Sequence, residues 1–550
     1  MKKRILLIPI AFSLSQPILV AQDDKGTFSG SLTTNNQFFV KDEKIGANTE
    51  LYERQLTGTE AWLVTNYGYK GFNFAARFDL FNNSNLYNPS KAYSNSGLGM
   101  WQVSKDVDNL NVTAGYFYDQ FGSGTMFRAY EDRNLGIDYA IQGVRVKYQP
   151  VKKLNLKAFT GRQKYRFGIR EPVIKGANAE YTFNIKKVQV EAGTSILNRT
   201  MDDVSMNLIV NAINNQPVLQ RFDPKYNMCA YNAYSSITWK NFRFFLEYAS
   251  KSKEAIKNTN LPTQPLEYKG GQVYFASTSY SKTGFGFNAQ YKRIEGFPVR
   301  TSPNEKQLDG VMNYLPSITR QNTYRLLARY NAVVQELGEE DFQADFLYTH
   351  KNKKKLKTQV SGNASYVRKL TGEELFHEFY LEVSKEYSKK VKWMLGVQQI
   401  GYNQQVYEAK GSEYPFVNAL TPFGEFNYKF SKKTSTRIEF QFLKTGKLFD
   451  MKDGADLGSF LNLLAEFNMA PHWSFALGDM VNIAPWRAPG FKGISNEKLH
   501  YYTFFAAYTE KATRFTLGYV KQVAGVNCTG GVCRVEPAFS GLKFTVSTSF

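Results

Sequence analysis

Cysteine and histidine are scarce in this chain: 3 Cys and 4 His in 550 residues. Three cysteines exclude a disulfide scaffold and a multi-cysteine zinc or iron–sulfur protein. His350, His377, His472 and His500 are far apart in sequence, which gives no spacing for a His-based metal site. Each falls at a strand or strand edge without a catalytic motif, and no nucleophile–base constellation is visible. Long apolar runs are missing too. After residue 21 no stretch approaches the ~18–20 apolar residues of a spanning helix, and the mean hydropathy is negative. No glycine-rich phosphate loop leads from a strand into a helix. We therefore expect no enzyme, no cofactor and no metal.

What the chain has instead is aromatic residues and positive charge. It carries 43 Phe, 35 Tyr and 6 Trp, with 69 Lys plus Arg against 48 Asp plus Glu, for a formal charge of +21. Its hydrophobic fraction of 43% is too high for a disordered chain. The first residues form an export signal: Lys2, Lys3 and Arg4, an apolar stretch from Ile5 to Leu14 containing Pro9, and Leu19-Val20-Ala21 as a cleavage site. We expect a signal peptide over residues 1–21 and a single domain over 22–550. Export permits disulfides and argues against nucleic acid as a partner, despite the basic charge.

Beyond the signal, apolar and polar residues alternate along the whole chain. Phe285, Phe287, Ala289 and Tyr291 oppose Gly286, Asn288, Gln290 and Lys292. Phe342, Ala344, Phe346 and Tyr348 oppose Asp341, Gln343 and Asp345, and Ile438, Phe440 and Phe442 oppose Arg437, Glu439 and Gln441. Side chains of a strand point alternately to two faces, so each segment has one apolar and one polar face. A soluble sandwich and a membrane barrel share that pattern. Segment length separates them, because many run near the ~9–11 residues of a tilted spanning strand. Short turns such as Lys240-Asn241 alternate with long connections such as 120–136, 199–228 and 295–319. That is the plan of an outer-membrane barrel, with short periplasmic turns and long extracellular loops. At the end of the chain Leu542, Phe544, Val546, Thr548 and terminal Phe550 alternate, resembling the signal by which such barrels are recognised for insertion. The expected fold is all-β: a transmembrane antiparallel up-and-down barrel. Candidate strands start near residue 27 and recur to residue 540, one of them near residue 320. Their odd total conflicts with the even count of single-chain barrels, so about 24–26 strands are expected, with the fault between residues 320 and 372. A barrel this wide cannot be filled by side chains. It must hold water, a folded-in loop or a partner protein.

Three features are candidates for function. The stretch from Asp119 to Asn134 packs Gly122, Gly124, Arg128, Glu131, Asp132 and Arg133 between two strands; it reads as an ion-paired loop constricting the lumen, or as an outer loop whose charges meet water. Inward-facing Arg145, Lys147, Lys292, Arg325, Arg329, Arg437 and Arg514 outnumber Asp341, Asp345 and Glu439, so a basic lumen favouring anions stands against an interior of paired charges. Cys528 and Cys533 bracket a Gly-Gly pair and are placed to staple a tight loop, with Cys229 left over.

Gln120-Phe-Gly-Ser-Gly124 with Arg128-Ala-Tyr-Glu-Asp-Arg133, then Ala470-Pro-His-Trp473, then Gly530-Gly-Val-Cys-Arg534 with Pro537 resemble a family of large outer-membrane barrels of Gram-negative bacteria classed as a domain of unknown function. The resemblance implies outer-membrane location and a porin-like barrel, and it transfers no substrate or catalytic residue. The expected function is a channel for small hydrophilic solutes. The alternative is a structural or interaction subunit of an outer-membrane export, assembly or uptake complex. Expected partners are outer-membrane lipid, the barrel-insertion machinery and other outer-membrane proteins.

Overall fold

The computed structural model of the chain describes residues 26–88, 91–257, 265–305, 308–451, 453–487, 498–529 and 532–550, without the side chains of 526–529, 533 and 535. The expected signal peptide lies outside them. Among the described residues one sheet has 24 antiparallel strands, each paired with its neighbour in the sequence. The first strand, Thr27–Phe39, also pairs with the last, Phe539–Ser549, so the sheet closes into a barrel. The strand expected from residue 320 does not form. Among the described residues no strand lies between Phe285–Glu295 and Gly338–Lys351, and without it the count is even. The physical reason is that Leu326 and Leu327 are adjacent and both about 1% exposed, in two different apolar clusters. A strand with one apolar face cannot bury both.

Alternation sets the faces. Along Asn227–Trp239, Met228, Ala230, Asn232, Tyr234 and Ser236 are buried, whereas Tyr231 and Trp239 are exposed. Exposed apolar residues at every second position form the outer surface: Phe242, Phe244, Leu246 and Tyr248 on one strand, Phe342, Phe346 and Tyr348 on another. A soluble monomer rarely presents so continuous an apolar surface, and in a membrane it meets hydrocarbon. Aromatic rings crowd the rim of short turns. Phe72 stacks with Phe74, Trp239 with Phe242, and Trp473 with Phe475, forming the girdle expected at a membrane interface.

The short turns have a simple cause. Lys70, Asp108, Lys186, Lys240 and Lys511 all take positive φ, the left-handed geometry that tight hairpins demand. Each is polar and sits at the rim, where its side chain meets water. At the opposite rim lie longer connections, among them 40–56, 118–140, 201–226 and 296–337. The second and fourth of these turn deep into the barrel, and the first packs Ala47, Leu51 and Tyr52 against Phe39, Val520 and Phe539 of the inner wall. Its apolar cores sit inside, between those segments and the inner wall.

Candidate functional site

The segment 118–140 folds down against the wall. Asp119–Phe121 pairs with Phe127–Ala129, and Glu131–Asp132 with Ile137–Asp138, as two small hairpins. Its base is held by charge. Asp119 meets Arg145 at 3.2 Å and Lys157 at 2.9 Å, and Asp138 meets Arg77 at 2.6 Å and Lys164 at 2.7 Å. Its tip is held by Glu247, a 4% exposed carboxylate on Phe242–Ile256. Glu247 accepts hydrogen bonds from the Ser123 amide at 2.9 Å, the Thr125 hydroxyl at 2.7 Å and the Asn232 amide at 2.7 Å. Gly122 is required there. Its φ is +54°, and a Cβ would lie 2.6 Å from a Glu247 oxygen.

The four expected constriction residues take three roles. Glu131 bridges Arg77 at 2.7 Å and Arg133 at 2.8 Å. The Arg128 guanidinium lies 4.0 Å from the Tyr314 ring and 4.9 Å from the Tyr130 ring, close enough for a cation–π contact. Asp132 pairs with no cation among the described residues; its carboxylate accepts from the Asn134 and Leu135 amides and shapes the turn.

The segment 296–337 crosses the lumen from this first segment to the far wall. Near its start Phe297, Val299, Met312 and Leu315 pack with Phe117, Phe121, Phe127 and Phe159, and the two segments exchange backbone bonds, Arg128 N–H to Met312 O at 2.8 Å and Tyr314 N–H to Gly124 O at 2.9 Å. Further on, Asn322 donates to Glu378, Tyr324 to Glu425 at 3.0 Å, and the Leu326 amide to Gln441 at 2.6 Å. Arg329 pairs with Asp456 at 2.8 Å, and Lys410 with the other oxygen of Asp456 at 2.8 Å. Burial pushes the Asp456 carboxyl up, but Arg329 and Lys410 outweigh it and hold it well below the usual carboxylate range. Arg325 and Arg329 thus sit on the inward segment rather than on a barrel strand.

The basic residues expected on the inner wall are mostly neutralised. Lys292 lies between Glu339 at 3.1 Å and Asp341 at 2.9 Å. Arg437 meets Glu425, Glu439 and Glu466 at 2.7–2.9 Å. Arg145 is taken by Asp119. Two form no ion pair among the described residues: Arg325, whose guanidinium reaches the carbonyls of Tyr501 and Lys521 at 3.4 and 3.5 Å, and Arg514, which reaches Ser474 at 3.5 Å. Cys528 and Cys533 stand opposite each other in the backbone register of a hairpin, but their side chains lie outside the described residues. Leu542 is exposed on the outer surface, and Phe550 exchanges backbone bonds with Gly30 at 2.8 and 3.0 Å while its ring lies 6.1 Å from Phe28.

Glu247, Asp456 and the crossing segment itself were not identified from sequence. A signal was present. Where the inner wall is covered by protein instead of water, alternation fails and neighbours are both apolar, as in Ile196-Leu197 and Val273-Tyr274, whose inner members Leu197 and Val273 are buried in the core beneath the inward segments. Among the described residues no His, Cys, Asp and Glu cluster could hold a metal ion, and no helix is long and apolar enough to cross a membrane.

Among solved structures, the barrel is similar to the P pilus usher (PapC) translocation pore at 8% identity and TM-score 0.47, over 95% of this chain and 99% of that chain. It is similar to OpdO of Pseudomonas aeruginosa at 12% identity and TM-score 0.37, over 68% of this chain and 92% of that one. A third match is the copper transporter OprC at 12% identity and TM-score 0.43, over 96% and 80%. At these identities the likeness concerns the fold alone. No curated protein matches the sequence. A family profile covers residues 1–550, and the chain belongs to that family, the family of unknown function DUF6029.

Proposed function

We propose that the chain is an outer-membrane channel of a Gram-negative bacterium that passes small hydrophilic solutes by diffusion and performs no catalysis. In this reading residues 1–21 direct export, the short turns face the periplasm, the long connections face outside, and Leu542, Phe544, Val546 and Phe550 serve the insertion machinery. The observation that carries the proposal is the way the lumen is filled. Two segments narrow it and are held by specific contacts to the wall, while the inner face on the short-turn side stays polar and open, as at Asn288, Gln290, Asn427 and Glu466. The test is incorporation of the purified protein into planar bilayers. Stepwise single-channel currents are expected; a membrane that stays silent with correctly folded protein overturns the reading.

A second reading, a subunit of a larger outer-membrane complex, draws on one observation. The connection 201–226 carries the helix Asp203–Asn214, N-capped by Asp202, with Val204 70% exposed, and beside it Leu219 is fully exposed. Stable partners recovered in mild detergent, together with no current, favour this second reading.

A further inference from the structure

The inward segments do not cover the wall evenly. On Asn227–Trp239 the inward residues from Met228 to Ser236 are all buried. On Thr27–Phe39 the inward residues Ser29, Ser31, Thr33, Asn35 and Gln37 are all at least partly exposed, and burial begins only at Phe39. From Ser29 to Gln37 this open strip spans roughly 26 Å of strand at ~3.3 Å per residue. One flank is open as well, with Lys543 and Thr545 opposite Gln37 and Asn35. On the other, Val64 and Asn66 are accessible toward the short-turn rim, while Gly58, Glu60 and Trp62 above them are buried.

Cations without ion-pair partners among the described residues stand along this strip. Lys543 forms no ion pair among the described residues; its ammonium lies over the Phe539 ring at 4.3 Å. Its register partner on the next strand is Gly518. On that same strand, Thr513–Gln522, Arg514 stands nearer the short-turn rim, and Lys521 offers its carbonyl to Arg325 nearer the other rim. Two cations without ion pairs among the described residues, Lys543 and Arg514, therefore stand at two heights of one wall, and a third, Arg325 of the crossing segment, reaches the same wall nearer the other rim. Two acids stand near Lys543: Glu536, which pairs with Arg534 at 3.0 Å, and Glu60, opposite Asn35 in register, which is buried and accepts from the Ser84 hydroxyl at 2.6 Å. Elsewhere in the lumen Lys292 and Arg437 are matched by acids, whereas Arg128 and Arg320 lie against tyrosine rings and Arg243 bonds Ser236. In a narrow passage with low-dielectric walls an unmatched charge acts on every solute that passes.

We infer that solutes pass along the wall Thr27–Phe39 rather than through the centre of the barrel, and that Lys543, with Arg514 and Arg325, makes small anions the preferred class. This rests on the channel reading. The wall supplies hydroxyl and amide groups that can replace solute hydration, and Lys543 supplies the charge selection.

The test has two arms in planar bilayers. In a salt gradient, wild-type protein is expected to give a reversal potential of anion sign, Lys543→Gln to reduce it, and Lys543→Glu to move it to the cation side. An unchanged potential in both variants overturns the assignment of Lys543. In the second arm a negatively charged thiosulfonate reagent is expected to cut the current through Asn35→Cys and to leave Ser236→Cys and the wild type unaltered. Equal effects at Asn35→Cys and Ser236→Cys, or no effect at Asn35→Cys, overturn the path. Failure of the wild type to conduct falls on the channel reading itself and brings this inference down with it; conduction without these effects falls on the inference alone.

Discussion

Residues 297–315 and residues 322–332 belong to one connection, and both lie inside the barrel, yet they are held there differently. Phe297, Val299, Met312 and Leu315 are sunk in an apolar cluster with the first inward segment. Residues 322–332 also bury Leu326 and Tyr330, but their distinctive contacts are side-chain bonds to single acceptors on separate elements: Glu378, Glu425, Gln441 and Asp456. Apolar burial is non-directional and spread over many atoms. A charge-assisted bond is directional, and removing one partner leaves the other buried and costly. The first half is a wedge and the second is tethered, so single substitutions release the second more readily than the first.

The largest expected effect comes from cutting out the tethered half. Replacing residues 321–333 with a Gly-Ser linker is expected to raise single-channel conductance several-fold while the barrel keeps its heat-modifiable mobility on gels. An unchanged conductance would show that this half does not narrow the lumen. Next, Phe127→Ala in the wedge is expected to cost about 3–5 kcal/mol, read as a lower urea midpoint with conductance little changed. Asp456→Ala removes the partner of Arg329 and is expected to cost about 3 kcal/mol; its signature is different, new trypsin cleavage at Arg325 and Arg329 in the folded protein. Cleavage after Phe127→Ala but not after Asp456→Ala would reverse the comparison. Arg133→Ala, at a partly exposed pair with Glu131, is expected to change stability by about 0–1 kcal/mol.

The smallest effect is expected from mild acid. Asp456 binds its proton more weakly in the folded chain than the ordinary value of 3.8 implies. Its contribution is therefore complete above that value and is lost only as pH falls through the lower folded one. Trypsin resistance at Arg329 is expected to hold from neutral pH down to about pH 5, the range in which Asp456 stays ionised. Loss of protection near pH 6 would mean that Asp456 does not anchor the tethered half.

The barrel was legible because lipid imposes a rule on every second residue: Phe285, Phe287 and Tyr291 have no alternative but to face out. Strand starts near residues 27 and 540 match the observed Thr27–Phe39 and Phe539–Ser549 for that reason. The error at residue 320 arose where the rule lapses. Leu326, Leu327 and Tyr330 answer to partners on strands far away in sequence, such as Val367, Ile400 and Phe423, and no local period records such contacts. Arg128, Glu131 and Arg133 were found because the segment is glycine-rich and charged, but not their partners Tyr314, Arg77 and Trp62. The charge balance of Lys292 and Arg437 depends on cross-strand register, which alternation alone does not fix.

The junction of Thr27–Phe39 with Phe539–Ser549 joins residues as far apart as Asn36 and Phe544, separated by 508 positions. Until the final strand exists, both edges of the sheet present bare amides and carbonyls, an open template for wrong partners. Closing that seam is the least local event in the assembly of the molecule and the slowest to find by chance. An assistant that holds the two edges apart and then zips them would act at this seam.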